Sequence, residues 1–253
     1  MEMSDEDYFA DTSMISSSML KLYREDRDEF VARFITKTVK QPAPSSSMRL
    51  GTAVHGLWLE DIKPVTAAYI GTPGPCPEDL RGARKFAKAN GLSGQPLSLK
   101  DGWLCRDMVD ALEADKEASD YLTYATHIEQ VVQWEAETDY GLEVACKAKI
   151  DLVAKIGGEI ILVDLKTTRH PTETAFHDSV HQYGYAFSLA HYAAALGAVG
   201  MAPTRSVILA VCSKPPHRIF TIELEDKVFD FASRTNRLGL SKIAEDLFYG
   251  WSR

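Results

Sequence analysis

The chain predicts an α/β (α+β) fold, a mixed central sheet flanked by helices with a helical extension in front. Two observations carry this expectation. The first is the order of patterns along the 253 residues: a helical front, three strands, a long helix, two more strands and a last helix. The second is a pair of apolar runs, ending in Ala148-Lys149-Ile150-Asp151 and spanning Ile160 to Thr168, separated by the turn Lys155-Ile156-Gly157-Gly158. No internal repeat interrupts this order.

Taken in sequence, residues 1–12 read as a disordered acidic leader, Met1-Glu2-Met3-Ser4-Asp5-Glu6-Asp7 setting its character. Ser13 or Ser16 can cap a helix through Met19, Leu20, Leu22 and Tyr23. A second helix carries Phe30, Val31 and Phe34, and Gln41-Pro42-Ala43-Pro44-Ser45-Ser46-Ser47 has linker composition. Met48 to Glu60 forms a helix with Leu50, Val54, Leu57 and Trp58 on its apolar stripe. A short strand is expected over Val65–Ile70, followed by punctuation from Gly71 to Pro77. Helices then cover residues 78–90 and 101–118, the second started by Ser98 or Asp101. Ile128 to Trp134 begins the first sheet strand, and the two apolar runs follow. One helix spans Thr174–Leu196, Val207–Cys212 and Arg218–Leu224 form a hairpin, and Lys227–Leu247 closes the chain as a helix.

Composition narrows the function classes. Hydrophobic residues make up 45% and charged residues 25%, which is globular, and no apolar run approaches the roughly 20 residues that cross a bilayer. The acidic start lacks the basic-then-apolar pattern of a secretory signal, so a cytosolic location is expected. Cys76, Cys105, Cys146 and Cys212 lie far apart, without a pair for zinc or a cluster for iron–sulfur ligation. The net charge of −8 argues against a protein that coats nucleic acid, though not against an enzyme that encloses it. No GxxxxGK[ST] or GxGxxG loop supports nucleotide chemistry.

The candidate chemistry sits on the two central strands. Strand side chains alternate, so Asp164 and Lys166 share a face while Leu165 points away. Asp151, thirteen positions before Asp164 across the turn, can face it in an antiparallel pair. Two acids brought together are costly to bury without a cation, and Mg²⁺ both offsets the repulsion and polarises a phosphate oxygen. Lys166 can then orient a water or stabilise charge on the phosphate; a structural ion pair is the competing account. His55 follows the small residues Gly51 and Ala53, which let its helix pack closely against another backbone. It is either a metal or phosphate contact or a satisfied structural histidine. Glu129, at the start of a strand, is balanced between a second cation and solvent, whereas Glu135 and Glu137 read as solvent-facing. Tyr185, Leu189 and Tyr192 share a helical face.

Together these residues resemble the PD-(D/E)xK nuclease superfamily, and within it the RecE-like branch, the exonuclease VIII type of phage recombination systems. The resemblance rests on Ile15 to Lys21, Gly51 to Glu60, Cys146 to Asp151, Val163 to Thr168, and Gly184-Tyr185 leading to Tyr192, in the family's order over residues 13–195. It implies a single restriction-endonuclease-like nuclease domain over residues 13–253. Asp151 and Asp164 become metal-binding acids, Lys166 the catalytic lysine and His55 the helix histidine beside the metal. The Leu165 carbonyl is a further ligand, and Glu129 a weaker match to an acidic metal position. Thr167, Thr168, Ser188, Tyr192 and Gln182 are the implied substrate contacts. Relatives carry GYxxQxxxY on the following helix, whereas Ser188 stands here in place of the glutamine and Gln182 is out of register.

The implied activity is Mg²⁺-dependent resection of linear duplex DNA ends, 5′→3′, with Mn²⁺ able to substitute. A ring-shaped homo-oligomer would act with a single-strand annealing protein in the cytosol of a bacterium or phage-infected host. The alternatives are an endonuclease or single-strand nuclease of the same superfamily, and a catalytically impaired fold that binds DNA ends or a partner.

Overall fold

The computed structural model describes residues 5–68 and 76–251. Its helices are α1 (Asp5–Ala10), α2 (Ser17–Glu25), α3 (Arg27–Phe30), α4 (Ser46–Glu60), α5 (Leu80–Asn90), α6 (Leu99–Ala114) and α7 (Lys116–Thr123). After them come β1 (Ala125–Glu137), β2 (Glu143–Ile156) and β3 (Glu159–Thr168). The chain ends with α8 (Glu173–Tyr183), α9 (Tyr185–Ala198), β4 (Arg205–Cys212), β5 (Ile219–Glu223) and α10 (Asp226–Tyr249). The five strands lie in sequence order; β3 and β4 pair in parallel, and every other pair is antiparallel. This is the expected mixed α+β sheet. Among the described residues, no helix is long and apolar enough to cross a membrane.

Alternation along the strands divides the core. Val163 and Leu165 of β3, with Leu152 of β2, pack under Leu50, Val54 and Trp58 of α4 and Met108 and Leu112 of α6. On the opposite face, Ile150 and Leu162 pack under Phe176 and Val180 of α8 and Leu189 and Leu196 of α9. Each such side chain contributes about 1.5–3 kcal/mol when fully removed from water. A third cluster joins α2, α3 and α10 to Val144 and Cys146.

Four sequence expectations are corrected. The helix drawn over Thr174–Leu196 is two helices, because Gly184 takes the left-handed conformation (φ 68°) and ends α8. The helix drawn over 101–118 ends at Ala114, where Asp115 turns extended and caps α7 through the Ala118 amide. The acidic leader is not wholly unstructured: Asp5–Ala10 is helical, and Tyr8 is buried. Its anchor is the buried Lys147, whose ammonium donates to the carbonyls of Tyr8 and Asp11 and lies 4.5 Å from the Tyr8 ring centroid. Of the strand expected over Val65–Ile70, Val65 forms an isolated bridge to Pro96, while Ile70 lies outside the described residues.

A candidate active site where two strands part

The β2–β3 ladder runs from Ile156↔Glu159 to Leu152↔Val163 and stops. Beyond that pair, β2 stays with β1 and β3 with β4, so the sheet forks at Asp151 and Asp164. The edge of β2 that β3 has left is taken by Ile15, which bridges Cys146 through bonds to Ala145 and Lys147. At the fork, the Leu165 amide donates to Asp151 Oδ2 at 2.8 Å. The Leu165 carbonyl accepts from His55 Nε2 at 2.9 Å and from Lys166 Nζ at 3.2 Å. Side chains thus satisfy backbone groups that lack a strand partner there.

His55 reaches the fork from the α4 side. Gly51, one turn earlier, eases the close approach of α4 to β3: a β-carbon there would stand 3.3 Å from Thr167 Oγ1, a tight contact. Because His55 Nε2 donates its proton to a carbonyl, the neutral ring turns the Nδ1 lone pair inward. Nδ1 lies 3.7 Å from Glu129 Oε1 and 3.7 Å from Asp151 Oδ1. Burial opposes the imidazolium, but Asp151 and Glu129 outweigh it and raise the His55 pKa. Burial pushes the Asp151 carboxyl up to about 6 despite the opposing charges of His55 and Lys166.

Glu129 enters through a strained backbone. Its φ is +49° within β1, and the ladder keeps one register from Ile128↔Leu152 to Gln130↔Ile150 but leaves Glu129 and Asp151, which stand opposite each other there, unpaired. Lys149 on β2 holds it with a 2.8 Å ion pair. Burial favours its neutral form, yet His55 and Lys149 keep the Glu129 pKa below the ordinary value. Glu129→Gly is therefore expected to exceed Glu129→Ala in stability by about 1 kcal/mol, reversing the usual order, because only the glycine relieves the left-handed strain. Urea unfolding of the pair measures this; an equal or more stable alanine variant would contradict it.

Asp164 and Lys166 fill the other arm. Lys166 Nζ donates to Asp164 Oδ1 at 2.6 Å and sits 5.5 Å from the Tyr185 ring centroid. Burial disfavours its charge, but Asp164 and Asp151 prevail and raise the lysine's pKa. Tyr192 is half-buried on α9, and burial with the charges of Asp164, Asp151 and Glu129 holds its hydroxyl protonated. Asp164 is 1% exposed, and its Oδ2 is buried without a hydrogen-bond partner.

These residues suit a divalent cation. His55, Glu129 and Asp151 offer ligand atoms all within 4.8 Å of one another, one nitrogen and two carboxylate oxygens. A proton or a metal ion reconciles three such acceptors; the Asp164 carboxylate stands outside this set, although its charge acts on Asp151.

The remaining expected positions separate. Thr167 touches α4 at Gly51, while the Thr168 hydroxyl accepts the His170 amide and shapes the turn after β3. Ser188 accepts a 3.0 Å bond from Ser17 on α2, and Gln182 is exposed at the end of α8, before the Gly184 break. The Leu165 carbonyl, expected as a metal ligand, is engaged by His55 and Lys166. Lys149 is a site residue that no sequence motif marks, although its spacing of two from Asp151 places both on one face of β2.

A forked mixed sheet with two acids and a lysine on its central strands defines the PD-(D/E)xK nuclease superfamily, and the matching family model agrees. The chain belongs to the family described as PDDEXK-like domain of unknown function (DUF3799), whose model matches residues 16–245. Its fold is similar to a crystal structure from Eubacterium rectale that carries the provisional name of exonuclease. The TM-score is 0.63 at 14% identity, over 96% of this chain and 85% of that one. The crystal structure of LHK-Exo in complex with dAMP matches at TM-score 0.44 and 12% identity, over 97% of this chain and 95% of that one. No curated protein matches the chain.

Proposed function

We propose that this protein is a divalent-metal-dependent deoxyribonuclease acting on linear duplex DNA ends, RecE-like, with residues 13–253 as one nuclease domain. The observation that carries the reading is the convergence of His55, Glu129 and Asp151 at a fork that also holds Asp164 and Lys166. His55, Glu129, Asp151 and Asp164 would hold the ion, with Mg²⁺ the expected metal and Mn²⁺ a substitute. A divalent ion supplies Lewis-acid polarisation of a phosphoryl oxygen in such a site.

The chain's own residues do the rest. Lys166 stays charged and, steadied by Asp164 and the Tyr185 ring, presents an ammonium to negative charge developing on the phosphate. It is a donor and an electrostatic group, not a base. Tyr192 keeps its proton and is a further donor on the α9 side. His55 fixes the Leu165 carbonyl and so sets the arm of β3 that carries both Asp164 and Lys166.

End-labelled duplex DNA tests the proposal. With Mg²⁺, a 5′ label should appear first in short products and a 3′ label last, and EDTA should stop both. Digestion unaffected by EDTA would refute metal dependence, and internal cuts in closed circles would replace resection with endonuclease action. A ring-shaped oligomer, a single-strand annealing partner and a cytosolic site of action belong to the same proposal.

One observation favours a second reading, a fold that binds DNA ends without efficient cleavage. The Ser188 hydroxyl, at the position where relatives carry glutamine, is engaged by Ser17. Tight DNA binding without Mg²⁺-dependent digestion would select that reading.

A further inference from the structure

Helix α5 carries Arg81, Arg84, Lys85 and Lys88 at spacings of three, four and seven, all exposed. That spacing aligns them along one helix face over about 10 Å, at 1.5 Å per residue. No ion pair joins any of the four to an acid among the described residues. Every i,i+3 and i,i+4 neighbour within the stripe is therefore a like-charge pair, which weakens the helix. Arg81 adds a cation in the first turn, where the helix dipole disfavours one. This stripe stands on a protein whose net charge is −8.

The opposite face of α5 is ordinary core. Ala83 and Ala87 are buried against Val65 and Cys76, and Asp79 caps the helix through the Gly82 amide. Val65 lies on the segment that leaves α4, the helix that brings His55 to the fork. The cations thus face outward from a helix whose apolar seat is the segment that follows α4.

We propose that the α5 stripe binds the phosphate backbone of DNA, holding the duplex independently of its sequence while the fork engages one end. The inference rests on the deoxyribonuclease reading and names a contact surface for that substrate. A strand carries one phosphate per 3.4 Å of duplex axis, so the stripe spans about three. Phosphates would replace mutual repulsion along the helix with attraction, and the contact carries no base information.

The test is the salt dependence of binding to a short mixed-sequence duplex in EDTA, where cleavage is stopped. Each lost phosphate contact lowers the slope of log affinity against log salt by about 0.9. The double variant Arg84→Ala, Lys85→Ala should lower it by about 2, with the loss of affinity greatest at low salt and equal across sequences. Both sites are exposed helix interior, so thermal stability should hold or rise as repulsion is relieved. The charge-keeping double variant Arg84→Lys, Lys85→Arg should retain the wild-type slope. If wild-type protein digests DNA and the alanine variant keeps the full slope, the stripe serves another partner, such as an acidic protein, and this inference alone falls. If wild-type protein neither binds nor digests DNA, the nuclease reading falls and takes the inference with it.

Discussion

Replacing Asp164 with asparagine should lower the Mg²⁺-supported cleavage rate by at least about a hundredfold to a thousandfold, the loss typical of removing one preorganised electrostatic element. The expected size follows from the two roles of one buried carboxylate. Oδ1 holds the Lys166 ammonium at 2.6 Å, and Oδ2 is a buried acceptor without a donor. Asparagine keeps the shape but removes the charge that anchors the lysine, and its amide end can turn a donor toward an ammonium or toward a metal. Either orientation works against the site. Removing one partner of a buried ion pair can cost 3–5 kcal/mol in stability. Here Asp151 still faces Lys166, and the two acids no longer repel each other, so the asparagine variant should remain folded. Circular dichroism and thermal unfolding in EDTA check the fold, and single-turnover digestion checks the rate. Wild-type activity in a folded variant would remove Asp164, and with it the proposed site.

Acidification should separate the metal-free protein from the metal-loaded one. Asp151 is raised from its ordinary 3.8 to about 6 by burial, and His55 is raised by Asp151 and Glu129 against its own burial. A raised folded-state pKa means the protonated form fits the fold better. Both groups therefore contribute stability at low pH that is lost as pH climbs, Asp151 between about 4 and 6 and His55 above its ordinary 6.5. Glu129 is lowered and works in the opposite sense, losing its contribution only in stronger acid, below its ordinary 4.5. Divalent ions bind the deprotonated ligands, so their affinity should fall about tenfold per pH unit below 6 through Asp151 alone, and more steeply with His55. The gain in Tm from Mg²⁺ or Mn²⁺ should accordingly grow from pH 5 to pH 8, while the Tm in EDTA declines. A metal-induced gain that is flat across this range would show that Asp151 and His55 are not ligands.

Much of this site was legible in the chain because its central part is local. The turn Lys155-Ile156-Gly157-Gly158 and the two apolar runs place Asp151 beside Asp164, and period-two alternation puts Lys166 on the Asp164 face. What stayed hidden depends on contacts between distant residues. Glu129 is marked in the sequence as an even choice between a cation and solvent, and no composition signal foretells the positive φ with which it meets His55. The acidic segment of α1 looks disordered by composition because its anchor, Lys147, lies more than 130 positions away and binds carbonyls, which carry no side-chain signature. Gly184 looks like helix interior in the sequence although it is the left-handed end of α8; glycine is tolerated in both places, and the flanking residues all permit helix. Asp115 hid a boundary for a similar reason, since a capping aspartate and a surface aspartate look alike before the chain direction is known.

The fork has a consequence for how the molecule assembles in time. Asp151 and Asp164 meet across a short hairpin, a closure that costs little chain entropy and is reached within microseconds in isolated hairpins. His55 must arrive from 110 positions earlier in the sequence, and Lys147 must gather its carbonyls from still farther away. Closing the acids is thus the cheap step in chain entropy, with Lys166 in the same hairpin as their counter-charge. Docking α4 and the amino-terminal turn around them carries the larger closure cost, and with it the completion of the pocket.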